Sequence, residues 1–132
     1  SITAVYTVLV AGSDMEEPIA DEVRGILDGH IVLERALGER GRFPAVDILA
    51  SLSRVMPQVT TAEHRAAAAR IKGLVAAFEE KRDLILLGAY RTGADRRVDE
   101  AIARIDAIEK FLAQDAAESS SFDETLAKLT AL

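Results

Sequence analysis

The order of hydrophobic and polar residues predicts strands at the start of the chain. The first ten residues, SITAVYTVLV, are almost continuously hydrophobic and rich in β-branched side chains, which predicts a strand buried on both faces of a mostly parallel sheet. Pro18 suits the first turn of a following helix, and Asp28 with Gly29 suits its end. HIVLER then predicts a second short strand. This strand, helix, strand order is typical of an α/β sheet.

The stretch AVDILASLSRV, at 45–55, is ambiguous between a third strand and a helical segment. Its apolar residues follow neither the helical period nor the alternation of a half-buried strand. The Gly-interrupted turn ALGERGRFP lies before it and has room for a short helix. Because the α/β pattern ends after Pro57, residues 1–57 are predicted to form one unit.

From Thr60 onward the hydrophobic period is helical. Thr60-x-x-Glu63 and Ser121-x-x-Glu124 are capping-box patterns, and Asp95 is expected to be the N-cap of the helix between them. The predicted apolar stripes of the three helices are Ile71, Leu74, Val75, Phe78 and Ile85; Val98, Ile102, Ile105 and Leu112; and Phe122, Leu126 and Leu129. Residues 58–132 are therefore predicted to be a helical domain, and the whole chain α/β plus all-α.

Charge and composition narrow the function classes. The formal net charge of the 132 residues is −6, which argues against a nucleic-acid duplex or an anionic membrane surface as the main partner. The charge is uneven, since residues 58–98 carry eight basic and five acidic residues. There is no cysteine, and the two histidines are too far apart in sequence to suggest a metal pair. The longest apolar run is too short to span a bilayer, so a soluble intracellular location is expected.

Patterns of known catalytic sites do not occur in these 132 residues. There is no G-x-x-x-x-G-K-[ST] phosphate-binding loop, no G-x-G-x-x-G and no Ser-His-Asp spacing. The residues alone therefore indicate no complete catalytic machinery.

Arg54 is the most informative charged residue, because it ends the apolar run FPAVDILASLSR. One interpretation is structural, with Arg54 tying a sheet edge to an acidic partner such as Asp47. The other is functional, since the planar and permanently charged guanidinium of arginine is suited to phosphate oxygens. Sequence spacing leaves both interpretations open.

Two phenylalanines and one loop are further candidates. Phe43 and Phe111 fit a core or turn role, but the two rings facing outward together would stack on a flat ring such as adenine. Leu87, Tyr90 and Arg91 lie at or beside a Gly-flanked loop tip between two helices, and loop tips on rigid scaffolds often carry binding.

Four segments resemble the C-terminal part of type III export ATPases, the hexameric motors of the flagellum and the injectisome. They are DEVRGILDGHIVL, PAVDILASLSRVM, LLGAYRTGADRRVDEAI and KFLAQ, so the resemblance covers essentially the whole chain. It implies the C-terminal part of a RecA-like P-loop ATPase sheet in 1–57, followed by a small helical bundle domain in 58–132. The family's Walker A and Walker B segments are expected upstream of Ser1. These 132 residues alone are therefore expected to bind no cofactor and to hydrolyse no ATP.

The resemblance also implies roles for single residues. Arg54 is expected to be an arginine finger that reaches the nucleotide of a neighbouring subunit. Phe43 and Phe111 are expected to line the adenine pocket of their own subunit, and the tip with Leu87, Tyr90 and Arg91 to face a central stalk. The intact protein is expected to be a cytoplasmic, homohexameric ATP hydrolase that uses Mg and ATP. Its expected partners are the stalk protein, export chaperone–substrate complexes and the inner-membrane export gate, with no nucleic acid.

Two alternatives stay open at this point. In the first alternative, the helical part is a non-catalytic binding module that recruits export chaperones or the stalk protein. In the second, the chain belongs to a rotary ATP synthase-type subunit, which LLGAYRTGAD makes less favoured because the stalk-facing tip is typically acidic there. The residues do not distinguish a flagellar system from an injectisome.

Overall fold

The structure is a computed structural model that describes residues 2–10, 12 and 17–132. Within these ranges two short strands and six helices follow one another, and none of the helices is long and apolar enough to cross a membrane. The elements in chain order are α1 (Pro18–Ile26), β1 (Gly29–Leu33), α2 (Arg35–Glu39), β2 (Val46–Ser53), α3 (Met56–Val59), α4 (Ala62–Leu86), α5 (Arg96–Leu112) and α6 (Phe122–Ala131).

Strands β1 and β2 pair antiparallel, with a bulge in β2. His30 is opposite Leu52, but Val32 is opposite Asp47, so the residues between Asp47 and Leu52 protrude from the ladder. Asp47 holds this bulge, since its Oδ1 accepts hydrogen bonds from two backbone amides, those of residues 49 and 50. The bulge explains the ambiguous pattern of 45–55, because an interrupted ladder interrupts the alternation of apolar residues.

The sheet departs from the sequence prediction in two respects. Residues 2–10 form no strand, and the apolar side chains of residues 2–9 are exposed, with Ile2 at 99%. The pairing of β1 with β2 is antiparallel rather than parallel, because the chain reverses direction through α2 between the two strands. A strand forms only beside a hydrogen-bonding partner, and a hydrophobic run alone does not supply one. Strand β2 itself resolves the ambiguity of 45–55 in favour of a strand.

The ends of the helices follow the predicted caps in most cases, although α1 ends at Ile26, before the predicted Asp28 and Gly29. Helix α1 begins at Pro18, and the side chain of Asp95 accepts from the amide of Val98 and from that of the preceding residue at the start of α5. Ser121 and Glu124 form the reciprocal capping box of α6. The prediction for α4 is wrong by one residue: Thr61 is the N-cap. Thr60 instead turns its hydroxyl toward the carbonyl of residue 56 in α3.

The core lies between α4 and α5 and extends to α6. Its buried residues are Ile71, Leu74, Val75, Ala77, Val98, Ala101 and Ile108. The prediction of the α4 stripe is confirmed, since Phe78 and Ile85 also pack against this cluster. The α5 stripe was predicted incorrectly in part, because Ile102 is 36% exposed while Ile108, which the pattern missed, is fully buried. Two fully buried alanines, Ala77 and Ala101, complete this core.

Polar contacts join the sheet residues to the helices. Lys72 on α4 donates to the carbonyl of Ser51 at 2.8 Å, and the backbone amide of Gln114 donates to the carbonyl of Phe43 at 2.8 Å. The domain boundary predicted between 57 and 58 falls inside α3 and stays a prediction. These contacts position the segment before β2 and the second half of β2 against the helices.

Candidate functional site

An open cavity of about 1040 Å³ brings Phe43 and Phe111 together. Phe43 lies just before β2, next to Pro44 and joined to it by a cis peptide bond, whereas Phe111 lies in the last turn of α5. Most of the lining area comes from apolar atoms. An apolar, open cavity with two aromatic rings is of a kind that binds a flat ligand ring by stacking.

The cavity also contains residues that sequence reasoning missed. Helix α6 contributes Thr125 and Lys128, and the end of α5 contributes Lys110 next to Phe111. Lys110 could have been suspected from its position beside Phe111. Nothing in the local pattern indicated Lys128, because α6 reaches the cavity only by packing back across α4.

Arg54 lies in a different cavity, at the other end of the strand pair. Its guanidinium donates to the backbone carbonyls of Gly25 at 3.0 Å and Arg24 at 3.1 Å, at the C-terminal end of α1. The predicted structural partner is wrong, because the Arg54 guanidinium bonds to these carbonyls and not to Asp47, whose Oδ1 accepts from backbone amides of the β2 bulge. Two of the five guanidinium N–H groups are thus used, and within the described ranges the other three have no hydrogen-bond partner.

The surroundings of Arg54 are strongly charged. The cavity of about 530 Å³ that it lines also includes Asp21, Glu22, Arg24 and His30. Arg24 is already paired with Asp21 at 3.0 Å. Arg54 is therefore the arginine of this cavity that remains available to an anion, and the carbonyls of the α1 end orient its guanidinium.

Tyr90 holds the loop between α4 and α5 from inside. Its hydroxyl lies 2.9 Å from Asp99 Oδ1 and 3.1 Å from the carbonyl of Asp95, and the amide of Gly93 donates to Asp99 Oδ2 at 2.9 Å. Burial raises the pKa of the Tyr90 phenol above its ordinary value, and the hydrogen bond to Asp99 raises it further. The neutral hydroxyl therefore persists at neutral pH, and its contribution to stability is lost only when the pH rises through that raised pKa.

Leu87 and Arg91 are the exposed members of the predicted tip. Leu87 is 80% exposed directly after α4, beside Leu86, which is 73% exposed. Gly88 and Gly93 have φ angles of 67° and 89°, a region in which side chains other than glycine are strained, so both glycines shape the turn. The tip is thus ordered from within by Tyr90 and presents leucine and arginine side chains outward.

Two family models match the chain, and with the fold they define its class. Residues 1–53 match the nucleotide-binding domain of the ATP synthase alpha/beta family. Residues 60–131 match the T3SS EscN ATPase C-terminal domain. The order of the two matches, a nucleotide-binding domain followed by a C-terminal helical domain, agrees with the observed order of mixed α/β and helical elements. The chain belongs to the family of the T3SS EscN ATPase C-terminal domain.

Relatives from flagellar and secretion systems are similarly close. Over all 132 residues the chain is 51% identical to the flagellum-specific ATP synthase of Bacillus subtilis and covers 30% of it. It is 48% identical over 132 residues to the type 3 secretion system ATPase of Xanthomonas euvesicatoria, again covering 30% of the relative. The chain thus spans about 30% of the length of these relatives.

Solved structures agree with these matches. The chain superposes on assembled EscN, from the type III secretion system of enteropathogenic E. coli, with a TM-score of 0.95 and 46% identity over 99% of this chain and 32% of that one. On EscN solved in complex with its central stalk EscO, the TM-score is 0.81 over 86% of this chain and 28% of that one. The resemblance to type III export ATPases is confirmed.

Proposed function

We propose that this chain is the nucleotide-facing and stalk-facing portion of a hexameric ATPase that energises type III protein export. The observation that carries the proposal is the single cavity that joins Phe43 and Phe111. The match of residues 1–53 to a nucleotide-binding domain supports a RecA-like sheet for the first part of the chain. The assembled state of EscN supports a homohexamer.

In this proposal the aromatic cavity holds the adenine base. Two aromatic rings offer stacking faces, and the apolar lining excludes water around the base. Lys110 and Lys128 line the same cavity, but so do the acidic residues Asp115 and Glu118, so the lining adds no net charge around the base. Bound ATP with Mg supplies the hydrolysis that drives export. The cavity residues of this chain only bind and orient the base.

Arg54 acts, in this proposal, on the nucleotide of a neighbouring subunit. It lies at the opposite end of the β1–β2 pair from Phe43, and its cavity and the aromatic cavity share no lining residue in the described part of the chain. Because the two cavities are separate, Arg54 and Phe43 are proposed to contact two different nucleotides. The three uncommitted N–H groups of Arg54 suit phosphate oxygens.

The proposed base site is tested by Phe43→Ala and Phe111→Ala in the intact ATPase. Each variant is expected to raise the KM for ATP about tenfold, because base–aromatic stacking contributes roughly 1–3 kcal/mol per ring and about 1.4 kcal/mol is a factor of ten. Turnover at saturating ATP should stay within about twofold. Phe122→Ala is the matched control, since Phe122 is an exposed aromatic residue of α6 outside the cavity. An unchanged KM for ATP in both cavity variants would refute the proposal that this cavity binds the base.

The loop tip is proposed to dock the central stalk protein of the export system. The support is the exposure of Leu87 and Arg91 on a loop that Tyr90 keeps ordered, together with the stalk complex of EscN. A tip of leucine and arginine fits a partner surface with apolar and acidic side chains. The helical part thereby also serves as a binding module, and export chaperones are proposed as further ligands of it. The whole assembly is proposed to work in the cytoplasm at the inner-membrane export gate.

Stalk docking is tested by Leu87→Ser in the intact hexamer. Affinity for the stalk protein, measured by surface plasmon resonance, is expected to fall about tenfold or more, because truncating a central interface anchor costs upward of roughly 1–2 kcal/mol. Val59→Ser is the matched control, since Val59 is an exposed apolar residue on α3, away from the tip. Equal affinities of the two variants would contradict the docking role of the tip.

A further inference from the structure

Arg42 and Glu109 form an ion pair beside the aromatic cavity. Arg42 Nη1 donates to both carboxylate oxygens of Glu109 at 3.0 Å, and Arg42 Nη2 donates to the carbonyl of Val46 at 2.7 Å. Arg42 directly precedes Phe43, and Glu109 lies two residues before Phe111. The pair therefore connects, over a short covalent path on each side, the two residues whose rings line the cavity.

A second contact closes the frame around Phe43. The amide of Gln114, two residues beyond α5, donates to the carbonyl of Phe43 at 2.8 Å. Glu109 and Gln114 thus hold the Phe43 segment from either side of Phe111. Neither Arg42 nor Glu109 is among the residues that line the described cavity, so the pair can influence a ligand only through the aromatic residues.

The burial of Arg42 indicates that the pair does more than stabilise the fold. Its side chain is 12% exposed, and its Nε is buried without a hydrogen-bond partner in the described ranges. A buried N–H without an acceptor is unfavourable, and a buried ion pair is often no more stabilising than apolar packing. Such a guanidinium is better explained by a geometric requirement. The requirement at hand is the separation of the Phe43 and Phe111 segments.

We propose that the Arg42–Glu109 pair is a positioning clamp that sets the spacing of Phe43 and Phe111 for the flat base of a nucleotide. This inference rests on the proposed base site. Stacking on two faces tolerates little change in the gap between the rings, so a loosened clamp weakens base binding without touching the phosphates. Arg42 and Glu109 are positioning residues in this scheme.

The clamp is tested by Glu109→Gln in the intact hexameric ATPase. Glutamine has one acceptor oxygen and no charge, so the bidentate pair is lost while the size of the side chain is kept. The KM for ATP is expected to rise about tenfold with kcat within about twofold. Inhibition by inorganic tripolyphosphate, which has no base, is expected to be unchanged. A change in ATP affinity without a change in tripolyphosphate affinity separates positioning of the base from general damage to the fold.

Glu79→Gln is the matched control. Glu79 also accepts two hydrogen bonds from one arginine, Arg82, at 3.1 Å, and its side chain is 44% exposed against 42% for Glu109. That pair lies within α4, away from the cavity. The KM of the Glu79→Gln variant for ATP should therefore equal that of the unmodified protein.

The outcomes distinguish the clamp from the base site. If Phe43→Ala raises the KM but Glu109→Gln does not, the clamp is wrong and the base site stands. If Phe43→Ala and Phe111→Ala both leave the KM unchanged, the base site fails and the clamp fails with it. A parallel loss of tripolyphosphate inhibition in Glu109→Gln would also overturn the clamp, since it would show damage beyond the base.

Discussion

Arg54→Ala is expected to lower ATP turnover by the assembled ATPase by a factor of about 10³–10⁵, the range that a finger arginine contributes in phosphoryl transfer. The guanidinium is oriented by the carbonyls of Arg24 and Gly25, and three of its N–H groups remain for phosphate oxygens. Alanine removes both the charge and these donors. Steady-state phosphate release by purified hexamers measures the effect.

The fold and the assembly should survive this substitution. Arg54 is exposed, and its loss removes only two hydrogen bonds to backbone carbonyls. Circular dichroism and gel filtration check both properties. Arg24→Ala is the matched control in the same cavity, because the Arg24 side chain is already paired with Asp21. ATP turnover by the Arg24→Ala variant should fall less than about tenfold. Near-normal turnover by Arg54→Ala hexamers would contradict the finger assignment.

Ile108→Ala is expected to lower the free energy of unfolding by roughly 2–5 kcal/mol, the usual cost of such a truncation in a packed core. Ile108 is fully buried between α4 and α5, and it is one of the two largest side chains with almost no exposure. Alanine leaves a cavity that the surrounding helices fill only in part. Urea denaturation of the chain, followed by the far-ultraviolet circular dichroism of its helices, measures this change in the free energy of unfolding.

Ile102→Ala provides the comparison on the same helix. Ile102 is 36% exposed and lies outside the buried cluster, so the same truncation should cost less than about 1 kcal/mol. Equal losses of unfolding free energy in Ile108→Ala and Ile102→Ala would mean that the core is not centred on the α4–α5 contact.

The sequence supported the site residues unevenly. Phe43 and Phe111 were proposed as a pair, and the structure brings them into one cavity although they are 68 positions apart. The adenine role remains a proposal. The hydroxyl of Tyr90 bonds to Asp99 inside the loop, whereas Leu87 and Arg91 are exposed, and the partner-binding role of all three residues stays a prediction. Whether a hydroxyl faces inward depends on the turn around it, and two positive-φ glycines shape that turn.

Local sequence was sufficient for the longer helices, α1, α4, α5 and α6, and for most of their ends. The caps at Asp95 and Ser121 involve residues at most three positions away, so neighbouring residues alone specify them. The same holds for the apolar stripe of α4, whose period reflects one continuous helix.

Tertiary contacts decided the direction of strand pairing, the β2 bulge and the clamp beside the cavity. Arg42 meets Glu109 across 67 positions, and Val32 meets Asp47 only because the chain turns back through α2. Such contacts depend on where distant segments come together in space, which no window of neighbouring residues contains. Local patterns therefore identified α1, α4, α5 and α6, and long-range packing alone determined which side chains share a cavity.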